Sequence, residues 1–114
     1  MATQDAQVLV QSLREIQMEL QKAQSVSQQF TQQQHENKMV LKELEEAGED
    51  AKIFKKIGPA LIAQDYLEAT TNVKKRLELI QSEEKRLQEK MQGLSKKGME
   101  IQAKLQQQQA AGQS

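Results

Sequence analysis

The chain has 114 residues, of which 37% are apolar, 3% are aromatic and 28% are charged. This length suits one domain, and so little apolar material argues against a globular core with an enclosed cavity. The 16 Lys and Arg residues balance the 16 Asp and Glu residues, so no overall field attracts nucleic acid or an anionic membrane. The absence of cysteine excludes disulfides and thiolate metal sites. We therefore expect a single elongated domain over residues 1–114.

Heptad spacing defines the first predicted element, a helix over residues 5–47. Its apolar and small polar side chains recur in alternating steps of four and three residues, which is the a/d pattern of a coiled-coil seam. Gly48 follows, where a left-handed C-terminal cap favours glycine, and marks the end of the helix. The seam positions are Leu9, Leu13, Ile16, Leu20, Ala23, Ser27, Phe30, Gln34, Asn37, Leu41 and Leu44.

Residues 51–63 are predicted to form a β-hairpin. Apolar residues alternate with lysines from Ala51 to Ile57, with Phe54 as an exception, and residues 60–63 are apolar throughout. Gly58 and Pro59 divide the two strands, because proline removes an N–H group, fixes φ and belongs at a turn. A two-stranded hairpin is marginally stable alone in water, and this one has more apolar surface than its two strands hide. We expect it to pair with strands of other chains.

The heptad pattern resumes in a second helix, predicted over residues 66–105. Asp65 and Glu68 match a capping box at its start. The Gln-rich residues 106–114 are low in complexity and are predicted to be a disordered tail. The seam positions are Tyr66, Thr70, Val73, Leu77, Ile80, Glu84, Leu87, Met91, Leu94, Gly98, Ile101 and Leu105.

The two seams predict an antiparallel coiled coil. Each spans roughly 55–60 Å at 1.5 Å per residue, and the connector is too short to run back along such a rod and also form a hairpin. Paired positions should then sum to about 110 along the seam. The predicted layers are Phe30 with Ile80, Ala23 with Leu87, Leu20 with Met91, Leu13 with Gly98 and Leu9 with Ile101.

The residues at the joints of this helix–hairpin–helix pattern resemble a known family. The hairpin segment is the specific part, because leucine seams are common whereas a strand pair divided by Ile-Gly-Pro between two matched helices is not. Together these residues resemble a prefoldin subunit of the β class, which has one hairpin where the α class has two. The matching segments are Asn37-x-x-Val40-x-x-Glu43-Leu44, Ile53-Phe54-Lys55-x-Ile57-Gly58-Pro59-x-Leu61-Ile62 and Ala69-x-x-x-Val73-x-x-Arg76-Leu77-x-x-Ile80.

The resemblance implies a heterohexamer of two α-class and four β-class subunits. Their hairpins would join into a double β-barrel platform that carries six coiled coils. Such complexes hold non-native polypeptides, typically nascent actin and tubulin, and deliver them to the group II chaperonin of the cytosol without ATP. The expected partners are therefore other prefoldin subunits, unfolded clients and that chaperonin, with no cofactor, nucleic acid or membrane.

Two sets of candidate functional residues follow. The first is the hairpin set, which we expect to pack across subunits. The second is the client-binding tip, where the start of the first helix should meet the end of the second. Val8 and Val10 flank the seam there without an evident partner within the chain. The hairpin set is Ile53, Phe54, Ile57, Gly58, Pro59, Leu61 and Ile62, and the tip set is Val8, Leu9, Val10, Leu13, Ile101 and Leu105.

Two glycines bear on the tip. Gly93 and Gly98 each cost a helix about 1 kcal/mol relative to alanine, and Gly98 should leave its seam layer underfilled. A loosely packed tip would expose apolar side chains to a client. The alternative is that the tip residues simply close the coiled coil.

No residue pattern indicates catalysis. His35 is the only histidine and has no nucleophile or metal-ligand spacing around it. The acidic run from Glu43 to Asp50 has no apolar surroundings to raise a carboxyl pKa. We expect a protein that is not an enzyme.

Location and assembly leave alternatives open. No stretch approaches the roughly 20 apolar residues of a membrane span, and the polar start of the chain does not resemble a signal peptide. We expect a cytoplasmic protein, with the nucleus as a second compartment. A coiled-coil adaptor or tether in another multisubunit complex is the alternative function, and a prefoldin-like transcription-associated complex that shares this subunit is a third.

Overall fold

A computed structural model describes residues 2–113. In chain order it contains helix α1 (Ala2–Ala47), strand β1 (Ile53–Ile57), strand β2 (Ala60–Gln64) and helix α2 (Tyr66–Gln113). Two helices with one antiparallel hairpin between them confirm the predicted fold class. The chain divides into two compact units, each built from parts of both helices. We call residues 29–84 the hairpin unit, and residues 1–28 with 85–114 the terminal unit.

Burial along both helices follows the predicted seam. In α1 every predicted seam position is buried or half-buried, and the remaining residues from 5 to 47 are exposed except for Ala6 and Ser12. Every predicted seam position of α2 is likewise buried or half-buried. Buried residues that recur in alternating steps of three and four positions are typical of a coiled coil. The most buried seam side chains are Ile16 and Ala23 in the terminal unit and Thr70, Val73 and Ile80 in the hairpin unit.

The helices of the terminal unit pair in the predicted antiparallel register. A methyl group placed on Gly98 would lie 3.7 Å from Leu13 Cδ1 and 3.6 Å from Ile16 Cγ2, which confirms the layer of Leu13 with Gly98. Ala23 and Leu87, a second predicted layer, border one surface groove. From the first of these layers to the second, the residue number rises along α1 and falls along α2. The helices of this unit are therefore antiparallel.

The joints between helices and hairpin follow local sequence signals. Gly48 has a φ of +84°, and its N–H donates to the Leu44 carbonyl at 3.2 Å, as in a left-handed C-terminal cap. Gly58 has a φ of +57°, and Pro59 restricts φ to negative values, which is the pattern of a type II′ hairpin turn. The Asp65 carbonyl accepts the first bond of α2 from the Ala69 N–H at 2.9 Å, so Asp65 is the N-cap.

The structure corrects the predicted disorder of residues 106–114. Helix α2 continues to Gln113, and only Ser114 of this segment lies outside the described residues. Gln and Ala are good helix formers, so a Gln-rich composition does not by itself end a helix. The seam spacing also continues one step beyond Leu105 to Gln108, which is half-buried. The low complexity of the segment obscured this continuation.

Candidate functional site

The strand register determines which hairpin side chains share a face. Ile53 lies opposite Gln64, and Ile57 lies opposite Ala60. Opposite residues point to the same face, and side chains alternate along each strand. Each face therefore mixes apolar side chains with a lysine. The first face carries Ile53, Lys55, Ile57, Ala60, Ile62 and Gln64, and the second carries Phe54, Lys56, Leu61 and Ala63.

Both hairpin faces expose large apolar side chains. Phe54 is 55% exposed and Leu61 is 69% exposed on the second face, and Ile57 is 52% and Ile62 is 49% exposed on the first. The sheet has two strands within the described chain, so each strand presents one unpaired edge. Open edges and apolar faces together are typical of strands that pair with another chain. The turn formed by Gly58 and Pro59 brings these side chains together.

A groove at the base of the hairpin joins the first strand to both helices. It has a volume of about 240 Å³, and we call it the base groove. Ile53 and Gln64, which lie opposite each other at the helix end of the hairpin, are half-buried beside it. The base groove is bordered by Val40, Leu44, Ile53, Phe54, Lys55, Gln64, Ala69, Asn72, Val73 and Arg76.

The structure divides the predicted tip residues into two groups. Val8 is 64% exposed and Val10 is 38% exposed, so both flank the seam as predicted. The other four, Leu9, Leu13, Ile101 and Leu105, are half-buried seam residues. Val8 and Val10 therefore present apolar surface, whereas the other four pack in the seam.

Sequence reasoning missed two exposed methionines of the terminal unit. Met18 is 59% exposed and Met99 is 64% exposed. Both lie outside the seam positions of the heptad, and this placement could have predicted their exposure from the sequence. Methionine adapts its shape to varied apolar partners, so both side chains add apolar surface to this unit.

Gly98 leaves open space in the terminal unit. The methyl group of an alanine there would reach Leu13 and Ile16 at ordinary van der Waals distance. A methyl group on Gly93 would meet no atom within 4 Å beyond its chain neighbours and the nearby backbone of its own helix. Gly98 therefore underfills its seam layer as predicted, whereas Gly93 acts only through the backbone.

The only histidine of the chain and its acidic run lie on the surface. His35 and the acidic residues Glu43, Glu45, Glu46, Glu49 and Asp50 are all exposed. Among residues 2–113 the structure contains no group of three or more metal-ligating side chains. Neither helix in that range has a stretch apolar enough to cross a membrane.

Comparison with solved structures defines the class of fold. The crystal structure of the prefoldin beta subunit from Thermococcus strain KS-1 superposes with a TM-score of 0.84 and covers 90% of each chain at 23% identity. This likeness shows a prefoldin β-type fold. A family model described as prefoldin subunit matches residues 7–112, and the chain belongs to that family.

Related sequences agree with this family. Prefoldin subunit 6 of Arabidopsis thaliana is 44% identical over 75% of this chain and 66% of its own length. Probable prefoldin subunit 6 of Caenorhabditis briggsae is 35% identical over 91% of this chain and 81% of its own length. Prefoldin subunit 6 of Saccharomyces cerevisiae is 35% identical over 77% of this chain and 81% of its own length.

These findings confirm the resemblance that the joint residues carry. The single hairpin indicated the β class, and the joint residues together most resemble prefoldin subunit 6. The relatives are prefoldin subunit 6 proteins, and the solved structure has the β-type fold. As a prefoldin subunit, the chain is a chaperone component that associates with other prefoldin subunits.

Proposed function

We propose that the chain is a β-class subunit of heterohexameric prefoldin and that its hairpin completes an intersubunit β-barrel. The exposed hairpin carries this proposal. Phe54, Ile57, Leu61 and Ile62 are about half exposed or more, although side chains of this size usually lie inside proteins. Strands of neighbouring subunits would pair with the open edges and bury both faces.

The complex would bind non-native polypeptides, such as nascent actin and tubulin, without ATP. The outward-facing Val8 and Val10 support this part, because exposed apolar side chains bind apolar segments with little sequence preference. Release to the cytosolic group II chaperonin follows from the family role. The complex would therefore work in the cytoplasm, with the nucleus as a second compartment.

A coiled-coil tether is the competing function. A tether needs a rod that separates two partners, and it needs no strands with open edges and two apolar faces. The exposed hairpin therefore favours a chaperone subunit over a tether.

Reconstitution tests the proposal. The chain is co-expressed with the other five prefoldin subunits of its source, and the assembly is weighed by native mass spectrometry. The assembled complex is then added, without nucleotide, to a client diluted from denaturant, and light scattering measures aggregation. We expect a hexamer that suppresses aggregation. An assembled hexamer that leaves aggregation unchanged would instead support the tether.

A further inference from the structure

The base groove combines an apolar floor with polar side chains that can all donate hydrogen bonds. Val40, Leu44 and Val73 form part of the floor. Lys55, Arg76, Gln64 and Asn72 also border it. Two of these four groups are permanent cations at neutral pH, and cations donate hydrogen bonds but accept none.

These donors have no partner within the described part of the chain. An ion pair between Lys42 and Glu46 lies elsewhere. The side chains of Lys55, Gln64, Asn72 and Arg76 make no hydrogen bond or ion pair with residues 2–113. No carboxylate borders the base groove, although residues 29–84 contain more acidic than basic side chains. The groove therefore has a local excess of positive charge.

The base groove continues into the surface through which the hairpin would meet other subunits. Ile53 and Phe54 belong both to the groove and to the hairpin strand β1. A subunit that covers Phe54 would also reach the mouth of the groove. Val40, a further lining residue, is 44% exposed and would be covered with it.

We propose that a neighbouring prefoldin subunit inserts an Asp or Glu carboxylate, beside an apolar side chain, into the base groove. The carboxylate accepts hydrogen bonds from Arg76 and Lys55, and the apolar side chain packs on the floor. A charged pair that is shielded from water in this way discriminates between partners more than it adds affinity. The inference rests on the proposed assembly and identifies the chemistry by which this subunit selects its neighbour.

Charge reversal tests the proposal in the reconstituted complex. Arg76→Glu and Lys55→Glu replace a cation by a carboxylate, which would repel the partner's carboxylate. Matched controls are Lys75→Glu, next to Arg76 on α2, and Lys52→Glu, just before β1, since neither control residue borders the groove. We expect the groove variants to weaken assembly by about tenfold or more and the controls by less than about twofold. Equal effects of the groove variants and their controls would overturn the inference.

Zero-length carbodiimide coupling supplies an independent readout. It joins a lysine amine to a carboxylate in direct contact, and peptide mass spectrometry identifies both residues. In the wild-type complex Lys55 should couple to an Asp or Glu of another subunit. Coupling of Lys55 only to carboxylates of its own chain, or to none, would contradict the proposal.

Phe54→Asp separates failure of the inference from failure of the proposed function. If Phe54→Asp assembles normally, the hairpin is not the assembly site and the proposed function itself is wrong. If Phe54→Asp is excluded from the complex while Arg76→Glu behaves like Lys75→Glu, only the base-groove inference is wrong.

Discussion

The hairpin unit and the terminal unit follow the same heptad rule but differ in how their seam layers are filled. Ala69, Thr70 and Val73, each 5% exposed, form a compact patch at the start of α2 in the hairpin unit. In the terminal unit the corresponding seam contains Gly98, where a side chain is missing. A regular seam therefore does not imply uniform packing, because side-chain volume at each layer decides how well the layer is filled.

The exposed apolar residues of the two units also differ in the secondary structure that carries them. In the hairpin unit they lie on a short sheet with open edges, which suits permanent pairing with another strand. In the terminal unit Val8, Val10, Met18 and Met99 project from helices whose backbone groups are already paired, which suits reversible side-chain contacts. Four predictions sharpen this comparison, from the largest expected effect to the smallest.

Phe54→Asp should exclude the subunit from the complex. A carboxylate on the second hairpin face would have to be buried without a partner when strands of another subunit cover it, which costs several kcal/mol. Co-purification of the tagged chain with the other subunits measures the effect. Leu79→Asp is the control, because Leu79 is 62% exposed in the same unit and lies outside the hairpin. Stoichiometric recovery of Phe54→Asp would place the interface elsewhere.

Ile16→Ala should destabilise the terminal unit by about 2–4 kcal/mol, because the substitution enlarges the open space that already exists beside Gly98. Ile16 is 8% exposed. Urea denaturation followed by circular dichroism measures the free energy of unfolding. Met18→Ala, at a site with 59% exposure, should change it by less than about 0.5 kcal/mol. Similar losses at both positions would show that this seam layer is not a core.

Val8→Ser with Val10→Ser should weaken client capture without weakening the fold. Replacing two exposed valines by serine removes apolar contact area for a client, and we expect several times more complex to be needed for half-maximal suppression of aggregation. Leu79→Ser is the control, because Leu79 is 62% exposed and lies in the hairpin unit, outside the predicted tip. If Leu79→Ser has as large an effect, clients do not bind at the tip.

Gly98→Ala and Gly93→Ala should each stabilise helix α2 by about 1 kcal/mol through helix propensity. The alanine at 98 should add a few tenths of a kcal/mol, since its methyl group also contacts Leu13 and Ile16. Urea denaturation of the two variants measures the difference. If an underfilled layer aids client capture, Gly98→Ala should reduce client capture and Gly93→Ala should not. Destabilisation by Gly98→Ala would mean that the layer has no room for a methyl group.

Much of the fold could be predicted from the sequence because its signals are local. Heptad spacing identified the residues that are buried along both helices. Gly48 correctly predicted the end of α1, Pro59 the hairpin turn and Asp65 the start of α2. The prediction of a disordered tail was wrong because composition was given more weight than the seam spacing that continues at Gln108. The exposure of Val8 and Val10 could also be predicted, since both lie beside the seam.

The sequence by itself determined that two helices share a seam and that an apolar hairpin divides them, because helix and strand periodicity depends on residues only a few positions apart. Tertiary structure alone decided which hairpin side chains lie near the helices and that Lys55 and Arg76 border one groove. Those facts depend on strand register and on the approach of residues distant in the chain. The open space beside Gly98 has a similar origin, since its size depends on where Leu13 and Ile16 of the other helix come to lie.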